Sequence, residues 1–136
     1  MLQRLRDGGI GYALPAGTLL ALDPCQVLEK PEAVLGPVRQ VTLNRLRECE
    51  WTATTSLRLT FEKLTVVPEE GDPVDLGGVP GTRRETGDSC TVTWNHRRFD
   101  ATQAEHVRLF ATKPGGGACD AAVAAGKAVV GKLPRP

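Results

Sequence analysis

The sequence predicts an α+β domain: a single antiparallel sheet of about five or six strands, with a short kinked N-terminal helix and a C-terminal helix packed on one face. Three observations lead to this prediction. Segments with alternating apolar and polar residues succeed one another through the middle of the 136-residue chain. Helix signals lie on either side of these segments. Four cysteines occur in segments of both kinds, so disulfides can tie the helices to the sheet.

The N-terminal helix is predicted over Asp23 to Leu35, as two short helical turns with a kink. Asp23 is a good N-cap because its carboxylate can accept a hydrogen bond from a free backbone N–H, and Pro24 suits the first helical position. Pro31 breaks the first turn and starts the second, which we expect to end at Gly36.

Six segments carry strand signals. The clearest is SLRLTFEKL, where alternation separates an apolar set, Leu57, Leu59 and Phe61, from a polar set, Arg58, Thr60 and Glu62. We expect the apolar set to face the core and the polar set to face outward. The predicted strands are residues 37–43, 47–53, 56–64, 82–87, 89–96 and 106–113.

The segment from Val66 to Gly81 is rich in turn-forming residues and acids, and we predict a mobile connector there. Its carboxylates lack the alternating Asp-x-Asp-x-Asp-Gly spacing of a calcium loop, so no calcium site is predicted. The sheet is therefore expected to gain no strand from this segment.

The C-terminal helix is predicted to begin after the glycine run at residues 115–117 and to end at Pro134. Small residues on its apolar side favour a close approach to the sheet. The predicted stripe is Cys119, Ala122, Val123, Val130 and Leu133. The predicted core is Leu57, Leu59, Phe61, Val92, Trp94, Val107, Leu109, Val123, Val130 and Leu133.

The four cysteines are Cys25, Cys49, Cys90 and Cys119. They are too far apart for the close ligand pairs of a structural zinc site, so no metal is predicted. Alternation places two of them beside Trp51 and Trp94, and buried thiols of this kind are poor nucleophiles. We therefore predict two disulfides. Four cysteines allow three connectivities, of which the sequential one ties each helix to a strand and stabilises the fold by roughly 3 kcal/mol per closed loop.

Disulfides indicate an oxidising compartment, so we expect an extracytoplasmic protein, secreted or attached to the cell envelope. Residues 1–21 are predicted to be a leader or linker, and residues 22–136 a disulfide-stapled domain. Glycines and prolines interrupt the leader, which lacks the apolar core of a secretory signal. We therefore expect the chain to be part of a longer exported protein. No apolar run approaches the roughly 20 residues of a membrane-spanning helix.

Several of these features occur together in one known family. An Asp-Pro-Cys start to a short helix, a Cys-x-Trp strand at Cys49, a strand cysteine at Cys90 and an alanine-rich last helix opened by Cys119 resemble the actinobacterial extracytoplasmic "Asp-Pro-Cys" domain of unknown function. That domain occurs in secreted lipoproteins and cell-envelope proteins. The resemblance covers Leu22 to Pro134. It supports the pairing Cys25–Cys49 and Cys90–Cys119, and it supplies no catalytic residues.

The composition and motifs favour a non-enzymatic binding or interaction module of an actinobacterial secreted or envelope protein. A net charge of +1 supplies no field that would recruit nucleic acid or an anionic membrane. The sequence contains no Gly-x-Ser-x-Gly, no metal-ligand spacing and no cofactor fingerprint, so no cofactor is expected. The expected partner is an envelope or secreted protein or a cell-wall ligand. The candidate binding residues are Arg58, Arg83, Arg84, Arg97 and Arg98, because arginines often make interface contacts.

Two other functions remain open from the sequence. One is a small secreted hydrolase that uses His96 or His106, both predicted on outward faces of strands, with a nearby carboxylate. The candidate carboxylates are Asp88, Asp100 and Glu105. The other is a secreted protease inhibitor, which would need a rigid exposed loop tied by a disulfide. The acidic connector lies outside both loops of the sequential pairing, and this lowers the prospect of an inhibitor.

Overall fold

A computed structural model describes residues 19, 22–44, 47–65, 71–98 and 103–134. The described helices are α1 (Pro24–Val27), α2 (Glu32–Leu35) and α3 (Ala118–Val130). The described strands are β1 (Gln40–Asn44), β2 (Glu48–Thr52), β3 (Ser56–Thr65), β4 (Asp72–Asp75), β5 (Pro80–Thr86), β6 (Ser89–Arg98) and β7 (Gln103–Thr112). Apart from Leu19, the predicted leader lies outside the described residues, as does the segment 66–70.

All seven strands belong to one antiparallel sheet, in the order β1-β2-β3-β7-β6-β5-β4. Two runs of consecutive strands, β1 to β3 and β4 to β7, meet at the central pair of β3 and β7. Those two strands run opposite each other from Ser56↔Thr112 to Thr65↔Gln103. The α+β class, the single antiparallel sheet and the helices on one face are confirmed.

The N-terminal helical segment forms as predicted, because its capping signals are local. Asp23 Oδ1 accepts a hydrogen bond from Cys25 N at 2.8 Å, and Pro24 opens α1. Pro31 precedes α2, which ends at Gly36, where φ is 76°. A positive φ favours glycine, which has no Cβ to clash with the backbone.

The prediction of a connector is wrong for the described part of the segment, because Asp72–Asp75 forms β4 and β5 begins at Pro80. Val74 pairs with Gly81, and Leu76 is completely buried. These apolar residues hold the segment against the sheet, although acids and turn formers dominate its composition. Gly81 makes the close fit possible, since a Cβ there would lie 2.8 Å from Leu76 Cδ1 and 2.9 Å from Thr93 O. Pro73 is tolerated because β4 is an edge strand, where one row of N–H groups needs no partner.

Both disulfides have the sequential pairing, Cys25–Cys49 and Cys90–Cys119, with Cα–Cα distances of 5.1 Å and 4.9 Å. The first joins α1 to β2, and the second joins α3 to β6. Helix α1 packs on β1, β2 and β3, and α3 packs on β5, β6 and β7. The two helices therefore cover the same face of the sheet, each over one half of it.

The core lies between these helices and the sheet. The seven strand residues predicted for it are all buried: Leu57, Leu59, Phe61, Val92, Trp94, Val107 and Leu109. The stripe of α3 differs from the prediction, because Val123, Val130 and Leu133 are only partly buried. Cys119 and Ala122 are buried as predicted, and the other buried residues of α3 are Ala118, Ala125, Gly126 and Val129. A Cβ at Gly126 would lie 3.0 Å from Leu76 Cδ2, so the smallest side chains mark the closest approach.

Candidate binding site on the open face of the sheet

The face of the sheet opposite the helices carries polar and charged side chains, and we call it the open face. It is formed by every second residue of each strand, since neighbouring side chains in a strand point to opposite faces. On β3 these residues are Arg58, Thr60 and Glu62, as predicted. The neighbouring strands contribute Glu48 and Glu50 from β2, His106, Arg108 and Phe110 from β7, and Thr91 from β6.

A groove of about 970 Å³ lies on the open face. Its lining includes Asn44, Arg47, Glu48, Arg58, Glu62, Arg108 and Phe110. The groove therefore runs across β1, β2, β3 and β7, and it reaches β6 at Thr91. Charged side chains of both signs and the Phe110 ring meet in it.

Arg58 is held in this groove by two carboxylates and a ring. Its Nε lies 3.0 Å from Glu48 Oε1, and its Nη2 lies 3.2 Å from Glu50 Oε2. The register explains this arrangement, because Glu50 and Phe110 stand directly opposite Arg58 on its two neighbouring strands. The guanidinium carbon lies 5.9 Å from the centroid of the Phe110 ring, within cation–π range. Arg58 is still 46% exposed, so its remaining donors can reach a ligand.

A third ion pair, between Arg108 and Glu62, also lines the groove. Arg108 Nη2 donates a hydrogen bond to Glu62 Oε1 across the central strand pair. The other carboxylate oxygen, Glu62 Oε2, is buried and has no hydrogen-bond partner. An unpartnered buried acceptor typically costs about 1–3 kcal/mol, so the groove contains a polar atom whose hydrogen-bonding capacity the described residues leave unused.

The predicted arginines are not all brought together. Arg84 stands opposite Thr91 and lies on the open face, whereas Arg83 stands opposite the buried Val92 on the helix side. Arg97 stands opposite Glu105, which is 1% exposed on the core side. The Arg83-Arg84 doublet divides because adjacent residues of a strand point to opposite faces. The side chain of Arg98 lies outside the described residues.

The two histidines lie on different faces. His106 is on the open face, where its Nδ1 lies 3.1 Å from Asn95 Oδ1. His96 was predicted to face outward, and this is wrong. It is 8% exposed and lines a small cavity of about 260 Å³ together with Trp94, because residues two apart in a strand share a face.

The two described candidate carboxylates of the hydrolase hypothesis, Asp88 and Glu105, are separated from His106. Glu105 is its neighbour in β7 and points to the other face, where its Oε1 accepts a hydrogen bond from Leu19 N at 2.8 Å. Asp88 lies in the turn between β5 and β6, whereas His106 stands opposite Asn95 near the far end of β6. Asp100 lies outside the described residues. The carboxylate directly opposite His106 is Glu62, which sequence reasoning did not select.

Comparison of the chain with protein-family models, with curated proteins and with solved structures gave no match in any of the three. In the described part of the chain, no helix has the length and apolar character needed to cross a membrane. Among the same residues, no three His, Cys, Asp or Glu side chains are grouped to hold a metal ion.

Proposed function

We propose that this protein is a non-enzymatic extracytoplasmic binding module of a secreted or cell-envelope protein, and that the open face is its binding surface. The observation that carries the proposal is the set of ion pairs in the groove, which leaves Glu62 Oε2 buried without a partner. The two disulfides support the extracytoplasmic placement, because such bonds persist in oxidising compartments.

The chemistry of the groove defines what a partner must carry. Once a neighbouring side chain moves aside, Glu62 Oε2 can accept a hydrogen bond from a donor such as a hydroxyl or an ammonium group. Arg58 and Arg108, each 46% exposed, offer donors to carboxylate or hydroxyl oxygens. Arginine and aromatic residues are also enriched at the energetic centres of interfaces, and here Arg58 and Phe110 lie in contact. A protein surface or cell-wall glycan with both donors and acceptors meets these requirements.

The proposal is tested by capture with the immobilised domain, in separate arms for a cell-envelope protein extract and a purified cell-wall preparation. The test variant combines Arg58→Ala and Arg108→Ala in the groove. The control combines Lys30→Ala, between α1 and α2, with Lys127→Ala on α3, and changes the net charge equally. We expect the groove variant to lose most of the material that the parent captures, and the control to keep it. Equal recovery by the two variants would exclude the open face as the binding surface.

A further inference from the structure

The two edges of the sheet differ in how they are protected against pairing with another strand. An exposed edge presents unpaired N–H and C=O groups, and natural proteins block it with short strands, charges or proline. The β4 edge has all three, since Asp72–Asp75 is four residues long and reads Asp-Pro-Val-Asp. The β1 edge reads Gln-Val-Thr-Leu-Asn and has neither a charge nor a proline.

The apolar residues of β1 also indicate that this edge is unprotected. Val41 and Leu43 are each 51% exposed, more than any other large hydrophobic side chain among the described residues. They stand opposite Trp51 and Cys49, which are buried on the helix side of the sheet. A strand added beside β1 would therefore extend the sheet and cover the apolar surface that Val41 and Leu43 expose among the described residues.

We propose that β1 pairs with β1 of a second copy of this chain, antiparallel, about a two-fold axis through Val41. In this register Val41 faces its own counterpart, Gln40 faces Thr42 of the second copy, and Arg39 faces its Leu43. Antiparallel pairing about a two-fold axis makes the contact self-complementary, so the strand must tolerate its own sequence as a partner. It does, because β1 is uncharged and the register places no like charges opposite each other.

This dimer places both open faces on the same side of one continuous sheet. The axis that relates two antiparallel edge strands runs perpendicular to the sheet, so it does not exchange the faces. The helices of both copies then lie together on the other side. The association needs no ligand in the groove. A test of the dimer and a test of the proposed binding function can therefore give different outcomes.

Sedimentation velocity over a range from micromolar to millimolar protein tests the association. The variant is Val41→Lys, which adds a charge to the β1 edge, and the control is Thr54→Lys, which adds the same charge at an exposed position in the turn between β2 and β3. We expect concentration-dependent dimers of the parent and of the control, and at least a tenfold weaker association of Val41→Lys with unchanged circular dichroism. A parent that stays monomeric throughout, as expected if β1 instead receives a strand of another protein, overturns the proposal. So does a Val41→Lys variant that associates as strongly as the parent.

Single cysteine variants test the register directly. Paired positions of antiparallel strands lie about 4.5–5.5 Å apart between Cα atoms, within reach of a disulfide. Val41→Cys should form a cross-linked dimer on mild oxidation, visible on a non-reducing gel, with the two native disulfides intact by peptide mapping. Gln40→Cys should not, because it faces Thr42. The reverse pattern, or efficient cross-linking through Leu43→Cys alone, would refute the axis through Val41.

Discussion

The two faces of the sheet are built from the same strands but are held by different forces. Along β3, Leu57, Leu59 and Phe61 are 2% exposed or less, while the intervening Arg58 is 46% exposed. The helix side combines buried apolar surface with two disulfides, whereas the open face carries ion pairs between partly exposed side chains. Ion pairs of that kind contribute little to stability, typically below about 1 kcal/mol. The helix side should therefore supply most of the free energy of unfolding. Side chains of the open face can then differ to suit a ligand with little loss of stability.

The largest loss of stability is expected from Phe61→Ala. Phe61 is 2% exposed at the centre of the sheet, and its truncation removes a large apolar side chain from a well-packed site. We expect a loss of about 3–5 kcal/mol in the free energy of unfolding, measured by urea denaturation. Thr60→Ala, one residue away on the open face, is the control and should lose much less. A similar loss for both variants would contradict the division between the faces.

Next in size is removal of the Cys90–Cys119 disulfide by replacing both cysteines with alanine. The bond closes a loop with a sequence separation of 29 and fixes α3 to β6. The chain-entropy account predicts a loss of about 3–4 kcal/mol, measured by the same unfolding experiment under non-reducing conditions. Unchanged stability would show that packing of α3 alone holds it against the sheet.

A smaller effect is expected from Gly81→Ala. The added Cβ would lie 2.9 Å from Thr93 O, a backbone atom that cannot move without distorting β6. We expect a loss of roughly 1–3 kcal/mol through overpacking, measured by thermal denaturation. Gly131→Ala is the control, because a Cβ there meets no atom closer than 3.6 Å and φ is −66°. If the two variants melt alike, the close fit of β5 against Leu76 does not limit stability.

The smallest effect is expected from Arg58→Ala. Its two ion pairs and its ring contact lie on the open face, at a half-exposed side chain. The loss in the free energy of unfolding should stay below about 1 kcal/mol and should shrink further at high salt, because solvent and ions screen such pairs. Urea titrations at low and high ionic strength measure both quantities. A loss comparable to that of Phe61→Ala would make the open face structural.

Features that depend on neighbouring residues could be predicted from the sequence. The cap at Asp23, the restart at Pro31 and the glycine end at Gly36 each involve contacts within one or two turns of helix. The alternation of apolar and polar residues in β3 also predicted correctly that Arg58 faces outward, on the open face. The two disulfides followed from the settings of the cysteines, and their sequential pairing is the one that ties each helix to a strand.

Features that depend on strand order could not be predicted. The strand β4 is defined by its pairing with β5, and its own composition resembles a loop. The ion pair between Glu62 and Arg108 joins residues 46 positions apart, and it exists because β7 inserts beside β3. The face of His96 is a different case. This residue lies two positions after Trp94 in β6, so alternation alone assigns it to the core side.

The two disulfides leave the N-terminal and C-terminal halves of the domain without a cross-link between them. Each bond closes a loop within its own half of the chain, from Cys25 to Cys49 and from Cys90 to Cys119. A peptide-bond cut between Thr65 and Asp72 would therefore release two fragments that no covalent bond joins. One would carry β1 to β3 with α1 and α2, and the other β4 to β7 with α3. The long pairing of β3 with β7 lies between the fragments, so each cross-linked half offers the other a template strand for reassembly.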